Sequence, residues 1–211
     1  AEGVDGEVCF AAFTGKAALV LRSRGCDGAQ TIHSLIYRSR GVEEEAPTFV
    51  LNRDSNAAKA DLIIIDECSM VDEELGRDLL SFGTKVLVLG DPAQLPPVKG
   101  GGYFTEHEPD VMLTEIHRQA AENPIIRMAS GVREGGRLAV GEYGSSRVIR
   151  RGDINAQIVL GADQVLVGMN RTRRQYNKRI RELKGLRDPM PAVGEKLVCL
   201  RNDKQKGLLN G

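Results

Sequence analysis

Three apolar runs, Val8 to Phe13, Leu62 to Ile65 and Val86 to Leu89, lack the every-other-residue polar alternation of a half-exposed strand. They are expected to be core strands of a parallel sheet covered on both faces. Between and after them, apolar residues recur at helical spacing in Lys16 to Arg24, Thr31 to Tyr37, Glu73 to Phe82 and Pro124 to Arg133. Such strand-helix alternation predicts an open α/β sheet. A fourth strand is expected at Gln164 to Val167, leading into a basic helix from Thr172 to Lys184. Arg40 to Lys59, with its acidic triplet, Pro47 and Asn/Asp/Ser content, reads as an excursion from the sheet, with a small hairpin around Thr48 to Leu51. The glycine-rich stretch Gly131 to Asp153 marks a domain boundary near residue 150. Residues 1–150 then form a first domain with a short inserted hairpin over 40–60, and 151–211 begin a second, incomplete one.

Composition narrows the class without choosing a function. With 41% hydrophobic and 27% charged residues in 211, the chain sits near the averages for globular proteins. No apolar run reaches the roughly 18–20 residues of a membrane helix, and Ala1 to Gly6 lacks a signal-peptide layout, so a soluble, cytoplasmic protein is expected. Cys9, Cys26, Cys68 and Cys199 are scattered and only three histidines are present. They read as buried thiols in a reducing compartment, with neither a zinc site nor a disulfide framework. The 29 basic and 29 acidic residues cancel, which removes the simplest argument for a nucleic-acid partner. Charge is nevertheless segregated: eight Lys/Arg residues lie between Asn170 and Arg187, with Tyr176 among them. That combination suits a nucleic-acid backbone and a stacked base, and it equally suits a solvated helix face.

The chemistry concentrates at two strand ends. Leu62-Ile63-Ile64-Ile65-Asp66-Glu67 is an apolar strand ending in two carboxylates, which at the carboxyl end of a parallel strand enter the crevice where α/β proteins bind ligands. In P-loop nucleotide hydrolases the first such acid holds Mg²⁺ and the next orients or deprotonates the attacking water. Alternatively, Asp66 caps the following helix and Glu67 is a solvated first-turn acid. Val86 to Leu89 ends similarly in Gly90-Asp91-Pro92-Ala93-Gln94-Leu95-Pro96-Pro97, offering an acid and an amide, or simply a turn with Gln94 in solvent. The Gly15-Lys16 pair after the first strand is not a P-loop, which would need Gly in place of Phe10 and Ser or Thr in place of Ala17.

Taken in order, Thr14-Gly15-Lys16-Ala17-Ala18, Thr31-Ile32-His33, Asp66-Glu67-Cys68-Ser69-Met70, Gly90 to Pro97 and Leu113-Thr114-Glu115-Ile116-His117-Arg118-Gln119 resemble successive motifs of the RecD-like and Dda-like superfamily-1 DNA helicases, also described as exodeoxyribonuclease V alpha-subunit-like. The similarity continues through Val167 to Arg173 and Leu197 to Asp203, so it spans nearly the whole chain. The resemblance implies a RecA-like parallel sheet with flanking helices, of the P-loop NTPase class, followed by the start of a second RecA-like domain. It implies ATP and Mg²⁺ as cofactors, with Asp66 the Mg²⁺-associated acid, Glu67 the residue that activates water, Gln94 a γ-phosphate sensor and Arg118 a cation on the γ-phosphate. It further implies contact with single-stranded DNA through Thr14, Gly15, Lys16, Thr31 and His33, with Asn170 and Arg171 by the interdomain cleft. The activity implied is 5′ to 3′ translocation coupled to strand separation, in DNA repair or recombination, within a larger helicase-nuclease complex or alone.

The same resemblance sets a P-loop upstream of Val8 and further motifs after Gly211, so residues 1–211 by themselves are expected to bind ATP poorly. The excursion at Arg40 to Lys59 stands where the family often has a strand-separating pin; here it is short, with Phe49 its one aromatic, either a wedge or a core residue of a short hairpin. Two rivals stand beside the helicase reading. One is a non-catalytic nucleic-acid-binding or scaffold module with a decayed nucleotide site; the other is an RNA-directed helicase of the same superfamily.

Overall fold

The computed structural model describes residues 5–39, 49–98, 100–114 and 123–199. They fall into two compact units, one running to Met112 and rejoined at Leu197, the other from Leu113 to Lys196.

The first unit is built on a four-stranded parallel sheet of β1 (Val8–Ala12), β2 (Gln30–Thr31), β5 (Leu62–Asp66) and β6 (Lys85–Val88), in the order β2-β1-β5-β6. The three expected core strands therefore form within a residue of their expected bounds. Around them lie α1 (Gly15–Ser23), α2 (Ile32–Ile36), α3 (Asn56–Lys59) and α4 (Glu73–Leu80). Each of the longer helices starts on a side-chain cap written in the sequence: Thr14 for α1, Thr31 for α2 and Asp72 for α4, whose oxygens accept from the Ala17, Ser34 and Leu75 amides. The α/β class with a parallel sheet and flanking helices is thus as expected.

Coverage on both faces is not. Ile63 and Ile65 are wholly buried against Ile32, Leu35, Ile36, Leu75 and Leu79, with Val86 and Val88 packed at the margin. On the other side of the sheet the register lines up Phe10, Ile64 and Leu87, and Leu87 is 47% exposed. Among the described residues the strands on that side are apolar without being sealed: α1 lies mainly against β1 and β2, where Ala12, Ala18 and Ala29 are buried outside the main cluster. The thiols differ as well. Cys68 is buried, whereas Cys9, Cys26 and Cys199 are half-buried.

The excursion begins as an antiparallel pair, β3 (Tyr37–Ser39) with β4 (Phe49–Leu51), so the expected hairpin strand has its partner in a segment whose first residue, Tyr37, the helical spacing assigns to the end of α2. Residues 40–48 between them lie outside the described residues. Phe49 is 59% exposed, so it is no core residue of the hairpin.

The second unit holds α5 (Pro124–Arg133), a β7–β8 hairpin (Gly141–Tyr143, Ser146–Val148), α6 (Ala156–Leu160) and the basic helix α7 (Asn170–Leu183). Gln164 to Val167 forms no strand: it has no ladder partner among the described residues, and Leu166 is 83% exposed. An apolar run becomes a strand only when another strand takes up its hydrogen bonds. No described helix is long and apolar enough to cross a membrane.

Truncating Ile65 to Ala removes a side chain enclosed on every side, and is expected to lower unfolding stability by about 2–5 kcal/mol, read as a fall in the denaturant midpoint at unchanged slope.

Candidate functional site

All four strands of the sheet point the same way, so their carboxyl ends share one edge. The register sets Thr31, Ala12 and Asp66 in one row across β2, β1 and β5. The Leu89 amide donates to the Ile65 carbonyl at 2.8 Å and carries the row to the exit of β6. The residues just beyond the row are Thr14, Gly15 and Lys16 after β1, His33 after β2, Glu67 after β5 and Gly90 to Gln94 after β6. Eight of the residues singled out in the sequence are thereby brought to one edge, the place where open α/β sheets bind ligands.

Asp66 is half-buried at the last position of β5, and its Oδ1 accepts the Glu67 amide at 2.9 Å. Glu67 has φ 55° and ψ 51°, and is the one non-glycine residue with positive φ among the described residues. An L-residue in this left-handed conformation costs about 1–2 kcal/mol, and such outliers gather at working sites. Here it turns the chain from the strand into a single 3₁₀ turn, Cys68–Met70, and leaves Glu67 exposed. The capping alternative does not form, since Asp72 and not Asp66 caps α4.

The exits of β5 and β6 are drawn together. The Cys68 amide donates to the Leu89 carbonyl at 3.2 Å, and a Cβ on Gly90 would stand 2.4 Å from Cys68 Sγ. Only a residue without a side chain fits there. Burial, with a further push from the Asp66 and Glu67 carboxylates, raises the Cys68 thiol above its ordinary range, so it stays protonated beside them. One residue on, buried Ser69 donates its hydroxyl to Gln94 Oε1 at 3.3 Å. Gln94 is held from the other side by the turn: its amide donates to the Asp91 carbonyl, while Asp91 Oδ1 accepts from Ala93. Ser69 was not given a role of its own; its signal was its place in the motif Asp66 to Met70.

Across the edge, Thr14 and Thr31 spend their hydroxyl oxygens on the starts of α1 and α2, accepting from Ala17 at 3.2 Å and Ser34 at 3.1 Å. Lys16 is exposed in the first turn of α1. His33 is exposed with its ring between those of Phe13 and Tyr37, centroids 6.4 Å and 5.6 Å away. Tyr37 in turn donates its phenol to Asp78 Oδ2 at 2.5 Å. Burial first, then that bond and the surrounding acids, raise its pKa well above the usual phenol range.

Arg118 lies outside the described residues. Asn170 and Arg171 belong to the second unit, both exposed at the start of α7, with Asn170 Oδ1 accepting from Arg173 Nε at 3.1 Å. No group of three or more His, Cys, Asp or Glu gathers into a metal cage among the described residues. Two adjacent carboxylates are nonetheless a donor set suited to Mg²⁺, which keeps waters and substrate phosphates in most of its coordination sphere and takes one or two protein oxygens.

A family model for the AAA domain matches residues 1–184. The chain belongs to the AAA domain family. Over 149 residues this AAA domain chain is 37% identical to the ATP-dependent RecD2 DNA helicase of Deinococcus radiodurans, a match covering 67% of this chain and 20% of that protein. It is 32% identical over 139 residues to the ATP-dependent DNA helicase dda of Enterobacteria phage T4, covering 61% and 31%. Among solved structures, a Pif1 helicase from Bacteroides is 28% identical with a TM-score of 0.34, over 47% of this chain and 25% of that one. The RecD-like and Dda-like resemblance of the motifs is borne out by the first two relatives. The chain spans a fifth of the first relative's length and just under a third of the second's.

Two outcomes follow from this geometry. Gly90→Ala is expected to force β5 and β6 apart at their exits and lower stability by about 1–3 kcal/mol, seen as a lower midpoint of thermal unfolding. Because the Tyr37 phenol is raised in the fold, it keeps its proton where the unfolded chain has lost it. Its contribution to stability is complete below about pH 10 and declines above it. A late tyrosine step is expected in an ultraviolet absorbance titration, and Tyr37→Phe is expected to remove it.

Proposed function

We propose that this chain is the central part of an ATP-dependent DNA helicase that moves 5′ to 3′ along single-stranded DNA and couples ATP hydrolysis to strand separation in the cytoplasm. The observation that carries the reading is the Ser69–Gln94 bond beside Asp66 and Glu67. It ties the exit of β6 to the acidic exit of β5 on the edge that also bears Thr14, Lys16, Thr31 and His33. The names of RecD2 and dda as ATP-dependent DNA helicases support it. In this reading residues 1 to about 150 are most of a first RecA-like motor domain, and 151–211 open a second.

Mg²⁺, when bound, would neutralise charge on the β- and γ-phosphate oxygens, with Asp66 the residue to hold it. Glu67, exposed and unshielded by any cap bond, takes the proton of the attacking water. Gln94 meets the γ-phosphate with its amide, and its bond to Ser69 passes the presence or loss of that phosphate to the 3₁₀ turn that follows Glu67. Arg118 supplies a fixed guanidinium opposite the charge on the transferring phosphoryl group. Thr14, Gly15, Lys16, Thr31 and His33 grip the strand from the same edge, Lys16 through phosphate charge and His33 through its ring. Asn170 and Arg171 add contacts from the second domain, and a helicase-nuclease complex is the larger assembly in which such a motor would serve.

Glu67→Gln in the full-length protein tests this directly. A carboxamide cannot accept the proton, so ATP turnover is expected to fall about 10²–10⁴-fold while affinity for single-stranded DNA is kept. Unchanged turnover would overturn the role of Glu67 as the base, and turnover absent from the unaltered protein while DNA still binds would establish the scaffold rival. Stimulation of hydrolysis by RNA in preference to DNA would establish the RNA-directed one.

A further inference from the structure

The basic helix α7 carries cations of two kinds. Several are engaged within the fold. Arg181 is the clearest: its guanidinium pairs with Glu195 at 2.6 Å, the two side chains only 23% and 19% exposed, and it donates to the Asp188 and Met190 carbonyls. Glu195 also accepts the Ala192 amide, so Arg181 clasps the 188–195 loop to the helix. Arg173 is held by Asn170, and Arg179 pairs with Glu182 at 3.2 Å.

Arg171, Arg174 and Lys178 are different. All three are exposed and make no hydrogen bond or ion pair among the described residues. At 100° per residue, positions i, i+3 and i+7 lie on one side of a helix. The half-buried residues Thr172, Arg173, Tyr176 and Ile180 define the opposite, packed side, and half-buried Arg181, three positions after Lys178, ends the row where it holds the 188–195 loop. Tyr176 therefore does not stand among the free charges, and the combination of basic residues with an aromatic that the sequence suggested is split between two faces. What remains is a row of three unneutralised cations about 10 Å long, stepping along the axis by about 4.5 and 6 Å. Two carboxylates lie near its end, and both are engaged: Glu182 by Arg179 and Glu195 by Arg181.

We propose that Arg171, Arg174 and Lys178 form a phosphate track for single-stranded DNA, while Arg173, Arg179 and Arg181 are structural. The inference rests on the helicase reading and extends it from Asn170 and Arg171 to a defined helix face. Charge complementarity favours the assignment: three successive cations at that rise face a polymer with one charge per nucleotide, and a row of like charges without counter-carboxylates is self-repelling until an anion lies along it.

The test is the salt dependence of binding of a labelled oligo-dT by the full-length protein, followed by anisotropy. For single strands each neutralised phosphate contributes about 0.7 to the slope of log K against log salt. Arg174→Ala and Lys178→Ala are each expected to lower that slope by about 0.7, and the triple alanine variant by about 2, with folding checked by thermal unfolding. Arg179→Ala removes a charge from the same helix away from the track, and is expected to leave the slope unchanged. Equal effects of Arg179→Ala and Arg174→Ala, or an unchanged slope in the triple variant, would overturn the track while leaving the helicase reading intact. Failure of the unaltered protein to bind the oligonucleotide at all would overturn both.

Discussion

The register of β5 between β1 and β6 is the constraint on which the rest of the candidate site depends. Pairing Ala12 with both Thr31 and Asp66 places the ends of three strands level, so that the loops after them open at one height. Side chains along a strand alternate between faces, so a slip of one residue would carry Ile63 and Ile65 out of the helix-covered core and bring Leu62 and Ile64 into their place. Asp66 would change sides with them. The buried pair of isoleucines therefore does more than stabilise the sheet: it selects the register that delivers the carboxylates to the edge.

Two local departures from ordinary backbone preference sharpen that delivery. Glu67 accepts a left-handed conformation that glycine would take more easily, and Gly90 stands where no Cβ can. Together they let β5 turn into its 3₁₀ segment close under the exit of β6, near enough for the Cys68 amide to reach Leu89 and for Ser69 to reach Gln94. A glycine at position 67 would relieve the strain and lose the carboxylate. That a glutamate stands there is the strongest local argument that its acid group has a task.

In the second unit the division is between charges the fold uses and charges it leaves over. Arg181 is enclosed and multiply bonded, where a guanidinium's planar array of donors serves two carbonyls and a carboxylate together. Arg171, Arg174 and Lys178 have no such partners among the described residues, and the packed side of the same helix is set by Tyr176 and Ile180.

The class of the fold, its three central strands, the starts of its three longer helices to within a residue and the pair Asp66-Glu67 were all legible in the sequence, because each rests on apolar runs, helical spacing or adjacent acids within a few positions of one another. Less was legible wherever a partner distant in sequence decides the outcome. Tyr37 to Ser39 became a strand because Phe49 to Leu51 pairs with it, whereas Gln164 to Val167 stayed unpaired for want of a described neighbour. Ser69's bond to Gln94 has no signature in the chain. The sequence by itself determined which segments could be strand or helix and which residues had chemistry to offer. Only the tertiary structure decided which of them meet, since hydrogen-bond pairing and burial are properties of two segments at once and local composition describes only one.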